Sequence, residues 1–401
     1  MQQTSQRNAN VVLVCGGIIL SLALGIRHTF GLFLPPMSAA HGWGREVFAL
    51  AIAVQNLLMG AVQPWVGMWA DRFGAGRVVV IGAAIYVLGL LGMSWAGTPW
   101  ALQIATGGLL GLALSATTFT VVLGAVVQVV PVARRSFAMG LTSAFGSVGQ
   151  FVMLPLAMWG ITYGGWQMAL WGLALLALVM LPLAKHLPRA APRAQAGSRA
   201  GMALRTAWQT RDFKLLCFCY FVCGFHVLFV ATHLPAFLLD QGLSATVGTT
   251  VLALVGLFNI AGSFTAGWLG GRYAKPYLLA GLYASRALVI VLFAFVLPVT
   301  TWSAYGFGML MGFLWLSTVP LTNGTIASRF GTEHLSMLGG VAFFFHQLGA
   351  FLGGWLGGLW YDRAGNYTGI WSLSVALAVV AALANVPIRE YLPQAKEQQP
   401  C

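Results

Sequence analysis

The sequence predicts an all-α membrane protein with twelve transmembrane helices, arranged as two similar bundles of six around a central space. Composition is the first reason, because the 401-residue chain is 59% hydrophobic and only 7% charged, whereas soluble domains are about 25% charged. The second is a series of apolar runs that are long enough to span a bilayer. The third is a pattern of residues that returns about 200 positions later.

The apolar runs fall into two sets of six. A transmembrane helix needs roughly 20 mostly apolar residues, and twelve runs meet this length. They are residues 11–36, 47–68, 78–96, 99–130, 136–160, 166–184, 213–239, 246–270, 277–298, 301–327, 336–360 and 367–387. We therefore predict an N-terminal bundle over 1–184, a polar cytoplasmic linker over 185–212 and a C-terminal bundle over 213–401.

A short charged connection between the second and third runs is the clearest sign of duplication. It extends over residues 67–77, and a related connection starts 200 positions later. Arg72 corresponds there to Arg272, but Gly271 replaces the preceding acid, Asp71. A repeat of half the chain length is a fold signature, and two repeated halves are typical of secondary transporters among membrane proteins.

Positive charge lies almost entirely on one side of the predicted bundle. Of the 21 Lys and Arg residues, only Arg45 and Arg363 fall in outer loops, and only Arg27 and Arg286 fall within spans. The others lie on the side that carries the N-terminus. Because an excess of Lys and Arg marks cytoplasmic loops, we predict that both termini are cytoplasmic, as an even number of spans requires.

Several classes of function have little support in the sequence. The net charge of +13 does not indicate a nucleic-acid partner, because the basic residues are dispersed between apolar runs and form no single patch. The five cysteines show no zinc-like spacing, and no phosphate-binding loop or Ser/His/Asp constellation stands out. We therefore expect a monomer in the lipid bilayer with no enzymatic activity, no cofactor and no metal.

The connection after the second span carries the most specific motif of the chain. Gly67, Asp71, Arg72, Gly74 and Arg77 match the pattern Gly-x-x-x-Asp-Arg-x-Gly-x-x-Arg. With the duplication and the six-plus-six spans, this resembles the major facilitator superfamily. The resemblance implies the major facilitator fold and a gate at the cytoplasmic face that uses the Asp and the Arg.

By analogy with that family, Asp71 is expected to cap the helix that begins near Phe137, since a carboxylate is favoured at the positive end of a helix. The second copy of the motif has no acid, so no equivalent gate is expected there.

Within the superfamily, the sequence is most similar to the monocarboxylate transporters and their bacterial relatives. That family places a substrate-facing basic residue in the first span, and Arg27 occupies this point. The start of the fifth span, Arg134 to Gly140, resembles the family's basic-then-Ala-x-Gly signature in part. The eighth span departs from the family, because Asn259 and Ser263 stand where members often carry an arginine. The resemblance implies a multi-pass protein of the bacterial cytoplasmic (inner) membrane.

Ionisable side chains at membrane depth are costly and are therefore candidate functional residues. None of the predicted spans carries a deep Asp or Glu, whereas cations and imidazoles are present. A central space with this lining attracts an anion, and the transported molecule supplies the missing negative charge. The predicted substrate-binding residues are Arg27, His28, His226, Asn259, Arg286, His346 and Gln347.

Each candidate has an alternative role. Arg27 either binds a carboxylate through the paired N–H donors of its planar guanidinium or extends to lipid or to helix carbonyls. Arg286 either replaces the absent eighth-span arginine or binds backbone carbonyls between helices. His226 and His346 are the proton-coupling candidates, because imidazole titrates in the physiological range. Either one is alternatively a packing histidine.

The sequence thus predicts a secondary active transporter that moves a small organic anion, a monocarboxylate, together with protons by alternating access. The alternative is a proton-driven drug or metabolite exporter of the same fold. Exporters of that kind carry buried acids and a Gly-Pro-x-x-Gly-Gly element in the fifth span, and this span has no Gly-Pro pair.

Overall fold

The computed structural model describes residues 2–130, 135–188, 204–330 and 335–390, and every regular element in these ranges is a helix. This confirms the predicted all-α class. Arg134, most of the predicted linker and the side chain of Asp71 lie outside the described part. The predicted helix cap by Asp71 therefore lies outside it as well.

The N-terminal half contains nine α-helices and one π-helical turn in its described part. They are α1 (Gln2–His28), α2 (Phe30–His41), α3 (Arg45–Phe73), α4 (Ala75–Ser94), α5 (Pro99–Leu102), the π-helical turn Gln103–Leu109, α6 (Leu110–Thr117), α7 (Phe119–Val129), α8 (Arg135–Leu178) and α9 (Met180–Ala184). A short helix, α10 (204–209), precedes the C-terminal half.

The C-terminal half has the same construction from long apolar helices. Its described elements are α11 (Arg211–Asp240), α12 (Ala245–Gly270), α13 (Lys275–Val291), the π-helical turn Leu292–Val296, α14 (Thr301–Leu314), α15 (Thr318–Phe330), α16 (Leu335–Ala364) and α17 (Thr368–Asn385).

Eleven helical stretches of the described residues are long and apolar enough to cross a membrane. One of them, Ala144–Ala184, has 41 residues, which at 1.5 Å per residue is about twice the roughly 30 Å thickness of the hydrocarbon core. This stretch folds back at Gly165, whose φ of 78° is unfavourable for residues with a Cβ. Gly160 accordingly packs against Ala169. The reversal lies between the predicted spans 136–160 and 166–184.

Polar contacts define two opposite faces of the bundle. On the first, which we call the latch face, the start of α3 meets the end of α11 and the end of α16 through Arg45, Asp240 and Asp362. On the second, the terminal face, Asp212 at the start of α11 pairs with Arg329 at 3.1 Å.

The terminal face also holds a carboxylate beside the second copy of the repeated connection. Glu390 accepts a hydrogen bond from the backbone N–H of Lys275 at 2.7 Å and contacts its Nζ at 2.5 Å. Ser328 donates to the same carboxylate at 3.1 Å. The acid that the second copy does not have at Gly271 is therefore supplied from beyond α17, more than 100 residues later in the chain.

Several helix pairs join the halves in the described part. The most extensive are α3 with α16, α8 with α12, and α2 with α11. Gly60 on α3 marks a particularly close approach, because a Cβ there would lie 2.5 Å from Cγ of Gln347 on α16. The seam between the halves is thus tightly packed at the depth of Gly60.

Two spans are broken at related positions. The helix that follows the π-helical turn Gln103–Leu109 is interrupted at Thr118, and the C-terminal half is interrupted at residues 315–317, before Thr318. The offset of about 200 positions found in the sequence therefore also relates these breaks. A break frees backbone carbonyls inside the bundle, and they need partners there because lipid provides none.

Candidate functional site

Arg27 lies in the last turn of α1, immediately before the helix is interrupted at Thr29. Its side chain is half-buried, and its guanidinium Nη2 donates a hydrogen bond to the amide oxygen of Asn56 on α3. No carboxylate pairs with Arg27 among the residues that the structure describes; the ion pairs found there join other residues. The described partner of this cation is thus a neutral group.

Asn56 connects Arg27 to the other half of the molecule. Its Nδ2 donates to Ile52 O at 2.7 Å, and its backbone carbonyl accepts a hydrogen bond from Gln347 Nε2 on α16 at 2.9 Å. Gln347 Oε1 lies 3.0 Å from Nδ1 of His346. We call Arg27, Asn56, Gln347 and His346 the central chain.

The central chain brings together three of the residues predicted from the sequence: Arg27, His346 and Gln347. His346 is buried, stacks on Phe343 with 5.6 Å between ring centroids, and lies 4.8 Å from the ring of Tyr220. His28 is half-buried beside Arg27 at the end of α1. A cation, two amides and an imidazole therefore meet at the seam between the halves.

Asn259, another predicted residue, forms a second polar bridge across the seam. Its Nδ2 donates to Ser147 Oγ of α8 at 3.2 Å. Its Oδ1 accepts hydrogen bonds from the backbone N–H of Leu316 at 3.0 Å and from Ser263 Oγ at 3.3 Å. Asn259 therefore contacts the interruption between α14 and α15 as well as the opposite half.

Arg286 on α13 contacts the same interruption from the other side. Its guanidinium is fully buried and donates to the carbonyls of Leu314, at 2.5 Å, and Trp315. These carbonyls are free because the helix ends there. The structure thus places Arg286 within the C-terminal half and does not bring it into the central chain.

We expect Arg286→Met to lower the free energy of unfolding by about 2 kcal/mol, because two buried carbonyls lose their donor. Arg286→Lys keeps part of this stability. Thermal unfolding in detergent measures both, with Arg272→Met as control, since Arg272 is exposed and stacks on Trp268 at 3.9 Å. Equal stability of Arg286→Met and the wild type would contradict the carbonyl-binding role.

His226 is also kept apart from the central chain. It is fully buried, and its Nε2 lies 2.9 Å from the carbonyl of Ser374 on α17, which it contacts as a donor. Its substrate and proton-coupling roles remain predictions, and so do those of the other candidates.

The motif at residues 67–77 forms the turn between α3 and α4. Gly74 joins the helices with a φ of 93°, a conformation that favours glycine. Arg72 and Arg77 are exposed, and the Arg72 guanidinium carbon lies 5.3 Å from the ring of Phe73. Gly67 lies one turn before Asp71. The gating role of these residues remains a prediction.

The latch face carries a set of contacts that the sequence reasoning did not identify. Arg45 of α3 forms a two-pronged ion pair with Asp240 of α11, with N–O distances of 2.8 and 2.6 Å. It also donates to the Tyr367 hydroxyl at 3.0 Å and stacks over Tyr361 at 3.6 Å. We call this set, with Asp362, the latch.

Asp362 caps α3 within the latch, and His233 binds Tyr367 beneath it. The Asp362 carboxylate accepts from the backbone N–H groups of Arg45 and Glu46 at 2.9 and 2.8 Å, capping α3. His233 is fully buried. Its Nε2 lies 2.7 Å from Gly354 O, and its Nδ1 lies 3.1 Å from Tyr367 Oη. The halves are therefore closed against each other at this face. No sequence signal paired Arg45 with Asp240.

The close approach at Gly60 gives a test of the closed seam. We expect Gly60→Val to slow transport, because any side chain there collides with Gln347 and separates α3 from α16. The turnover rate in proteoliposomes measures this. Gly281→Val is the control, since a Cβ at Gly281 meets no atom within 4 Å. Normal turnover of Gly60→Val would show that the two helices need not approach so closely.

An all-helical protein with many membrane-spanning segments, whose halves meet around a half-buried cation and close at one face, has the architecture of a membrane transporter. The chain belongs to the Major Facilitator Superfamily, whose family model matches residues 13–354. The family predicted from the sequence is thus confirmed.

Individual relatives are similar at low identity over most of the chain. The chain is 25% identical over 390 residues to the "Uncharacterized MFS-type transporter YcxA" of Bacillus subtilis, covering 93% of each protein. It is 25% identical to "Monocarboxylate transporter 11" of Homo sapiens, over 96% of this chain and 83% of the relative. It is 24% identical to the "Gallate transporter" of Pseudomonas putida, over 70% of each.

Proposed function

We propose that the protein is a secondary active transporter of a small organic anion, a monocarboxylate, which it moves together with protons by alternating access. The observation that carries this proposal is the environment of Arg27. This half-buried cation at the seam has a neutral amide as its described partner. A guanidinium binds carboxylates through paired N–H donors, so an anionic substrate completes the site.

The names of the relatives support the same class of substrate. Monocarboxylates and gallate each carry one carboxylate, and relatives named as transporters of these molecules match most of the chain. The parts of the substrate other than its carboxylate then determine which monocarboxylate the protein prefers.

We propose that the protein crosses the membrane twelve times, with α8 contributing two spans that meet at Gly165. The terminal face is then cytoplasmic, because most Lys and Arg residues flank it, and the latch face is external. The corresponding location is the cytoplasmic membrane of a bacterium. Reporter fusions after Gly165 and after Asn385 test this orientation, and an external reporter after Asn385 would contradict it.

Transport by the purified protein in proteoliposomes tests the proposed function. Vesicles preloaded with unlabelled lactate, pyruvate or gallate are diluted into the labelled acid at external pH 6 and internal pH 7.5, roughly bracketing the range in which imidazole titrates. We expect counterflow with at least one acid, and net uptake that a protonophore abolishes. Net uptake that does not depend on the pH gradient would remove proton coupling. Efflux of a cationic dye without carboxylate counterflow would instead support the exporter.

A further inference from the structure

Asn56 has the geometry of a group built to hold the Arg27 guanidinium. Its side chain is completely buried, at 0% exposure. Its Nδ2 is engaged by the carbonyl of Ile52, one turn earlier in α3, at 2.7 Å. This bond fixes the amide so that Oδ1 faces Arg27 and accepts from Nη2. The amide is therefore oriented before any substrate arrives.

We propose that Asn56 is a positioning residue for anion binding. Its neutral amide oxygen fixes the plane of the Arg27 guanidinium, and the positive charge of Arg27 stays available to the anionic substrate. The inference rests on the proposed function. A guanidinium has five N–H donors in a rigid fork, and one hydrogen bond to Asn56 leaves the other donors for a carboxylate. Because the amide carries no charge, it orients the fork without neutralising it.

The chemistry explains why an amide suits this position. A carboxylate at position 56 would have nearly the same shape but would form a permanent ion pair with Arg27. Charge-assisted hydrogen bonds are about twice as strong as neutral ones, so an incoming anion would have to compete with that pair. Conversely, an aliphatic side chain would let the long arginine side chain adopt several rotamers, which the substrate must then order.

Asn56 also links the orientation of Arg27 to the position of the other half. Its backbone carbonyl accepts the hydrogen bond from Gln347, which reaches α3 through the space above Gly60. When α16 separates from α3, this bond is lost and the turn that carries Asn56 is no longer held. The site then binds the anion with a different affinity in the two states, as a ligand that shifts a conformational equilibrium must.

Measurements of substrate affinity distinguish a positioning role of Asn56 from a packing role. We expect Asn56→Ala to raise KM about tenfold with little change in kcat, since the hydrogen bond to a charged group is lost. Asn56→Asp raises KM further, by about a hundredfold, because a fixed charge competes with the substrate. Both KM and the ligand-induced shift of Tm are measured, using the acid that gives counterflow.

Asn385 supplies the matched control. It is equally buried and forms the same bond to a carbonyl four residues earlier, Ala381 O at 2.8 Å, but its described bonds involve no cation. Asn385→Ala should lower Tm as Asn56→Ala does while leaving KM unchanged.

Two outcomes would overturn the inference. They are wild-type affinity in Asn56→Asp, and equal changes of KM in the two alanine variants. Arg27→Ala separates this failure from that of the proposed function. If Arg27→Ala loses uptake and Asn56→Asp does not, only the positioning role is wrong. If Arg27→Ala transports normally, both proposals fall.

Discussion

Arg27→Ala should abolish the uptake of organic anions by the purified protein while the protein still folds. The guanidinium is the charged group of the central chain, and its described partner Asn56 supplies no compensating charge. Without the Arg27 guanidinium, a carboxylate that enters the seam between the halves loses its solvation and gains only neutral hydrogen bonds. Truncation of one partner of a buried charge pair costs about 2 to 5 kcal/mol, which corresponds to at least a thirtyfold loss of affinity near the low end of this range.

Folding is expected to change much less than transport. Arg27 is half-buried and forms no described ion pair, so its removal leaves no carboxylate without a partner. The measurements are initial uptake rate, ligand-induced stabilisation and Tm without ligand. Arg27→Lys serves as the intermediate case, because it keeps the charge but not the fork, and it should retain weak uptake. Transport at the wild-type rate by Arg27→Ala would remove the cation argument.

The fold class followed from the sequence because the bilayer imposes a simple physical requirement. Every span needs a long apolar helix, and such helices are visible as runs of residues. The turn at Gly165 was anticipated as a gap between two predicted spans. The interruption at residues 315–317 is not visible in the sequence, because it falls inside the single predicted span 301–327. Its stability depends on partners from distant helices. Arg286 donates to its carbonyls, and Asn259 accepts a hydrogen bond from the Leu316 N–H.

The site was only partly predictable for the same reason. Depth and charge singled out Arg27, and the resemblance to monocarboxylate transporters pointed to the same residue. Asn56 and Gln63 lie seven residues apart in α3, and such periodicity defines a face of a helix but not the partner on it. The bond from Gln347 to Asn56 depends on how the two halves dock. Nothing local to either segment encodes that arrangement.

The latch shows this limit most clearly, because its ion-paired residues Arg45 and Asp240 are 195 residues apart. In the sequence Arg45 falls in a predicted outer loop, and Asp240 and Asp362 lie at the ends of α11 and α16. Only the packing of α3 against α11 and α16 brings them together. The consequence is that both bundles contribute to a single ionic contact, so the closure of this face depends on each charge.

Asp240→Ala should open the latch face. The side chains of Arg45 and Asp240 are 16% and 28% exposed, so their two-pronged pair lies between the fully solvated and the buried case. We expect its loss to cost the closed state about 2 kcal/mol, a shift of roughly thirtyfold in the equilibrium between closed and open forms. A cysteine introduced at Ala49, which is buried beside Gly358, should then react faster with a membrane-impermeant maleimide. Arg363→Ala is the control, since this arginine is exposed near the same face and has no described role in the latch.

The double variant Arg45→Asp with Asp240→Arg distinguishes the ion pair from the side chains that surround it. The exchanged charges can pair again, but the guanidinium no longer stacks on Tyr361 or donates to Tyr367 from α3. We therefore expect partial recovery of protection, greater than in Asp240→Ala and less than in the wild type. Full recovery would mean that the aromatic contacts contribute little. Unchanged labelling in Asp240→Ala would show that helix packing and the Asp362 cap close this face without the ion pair.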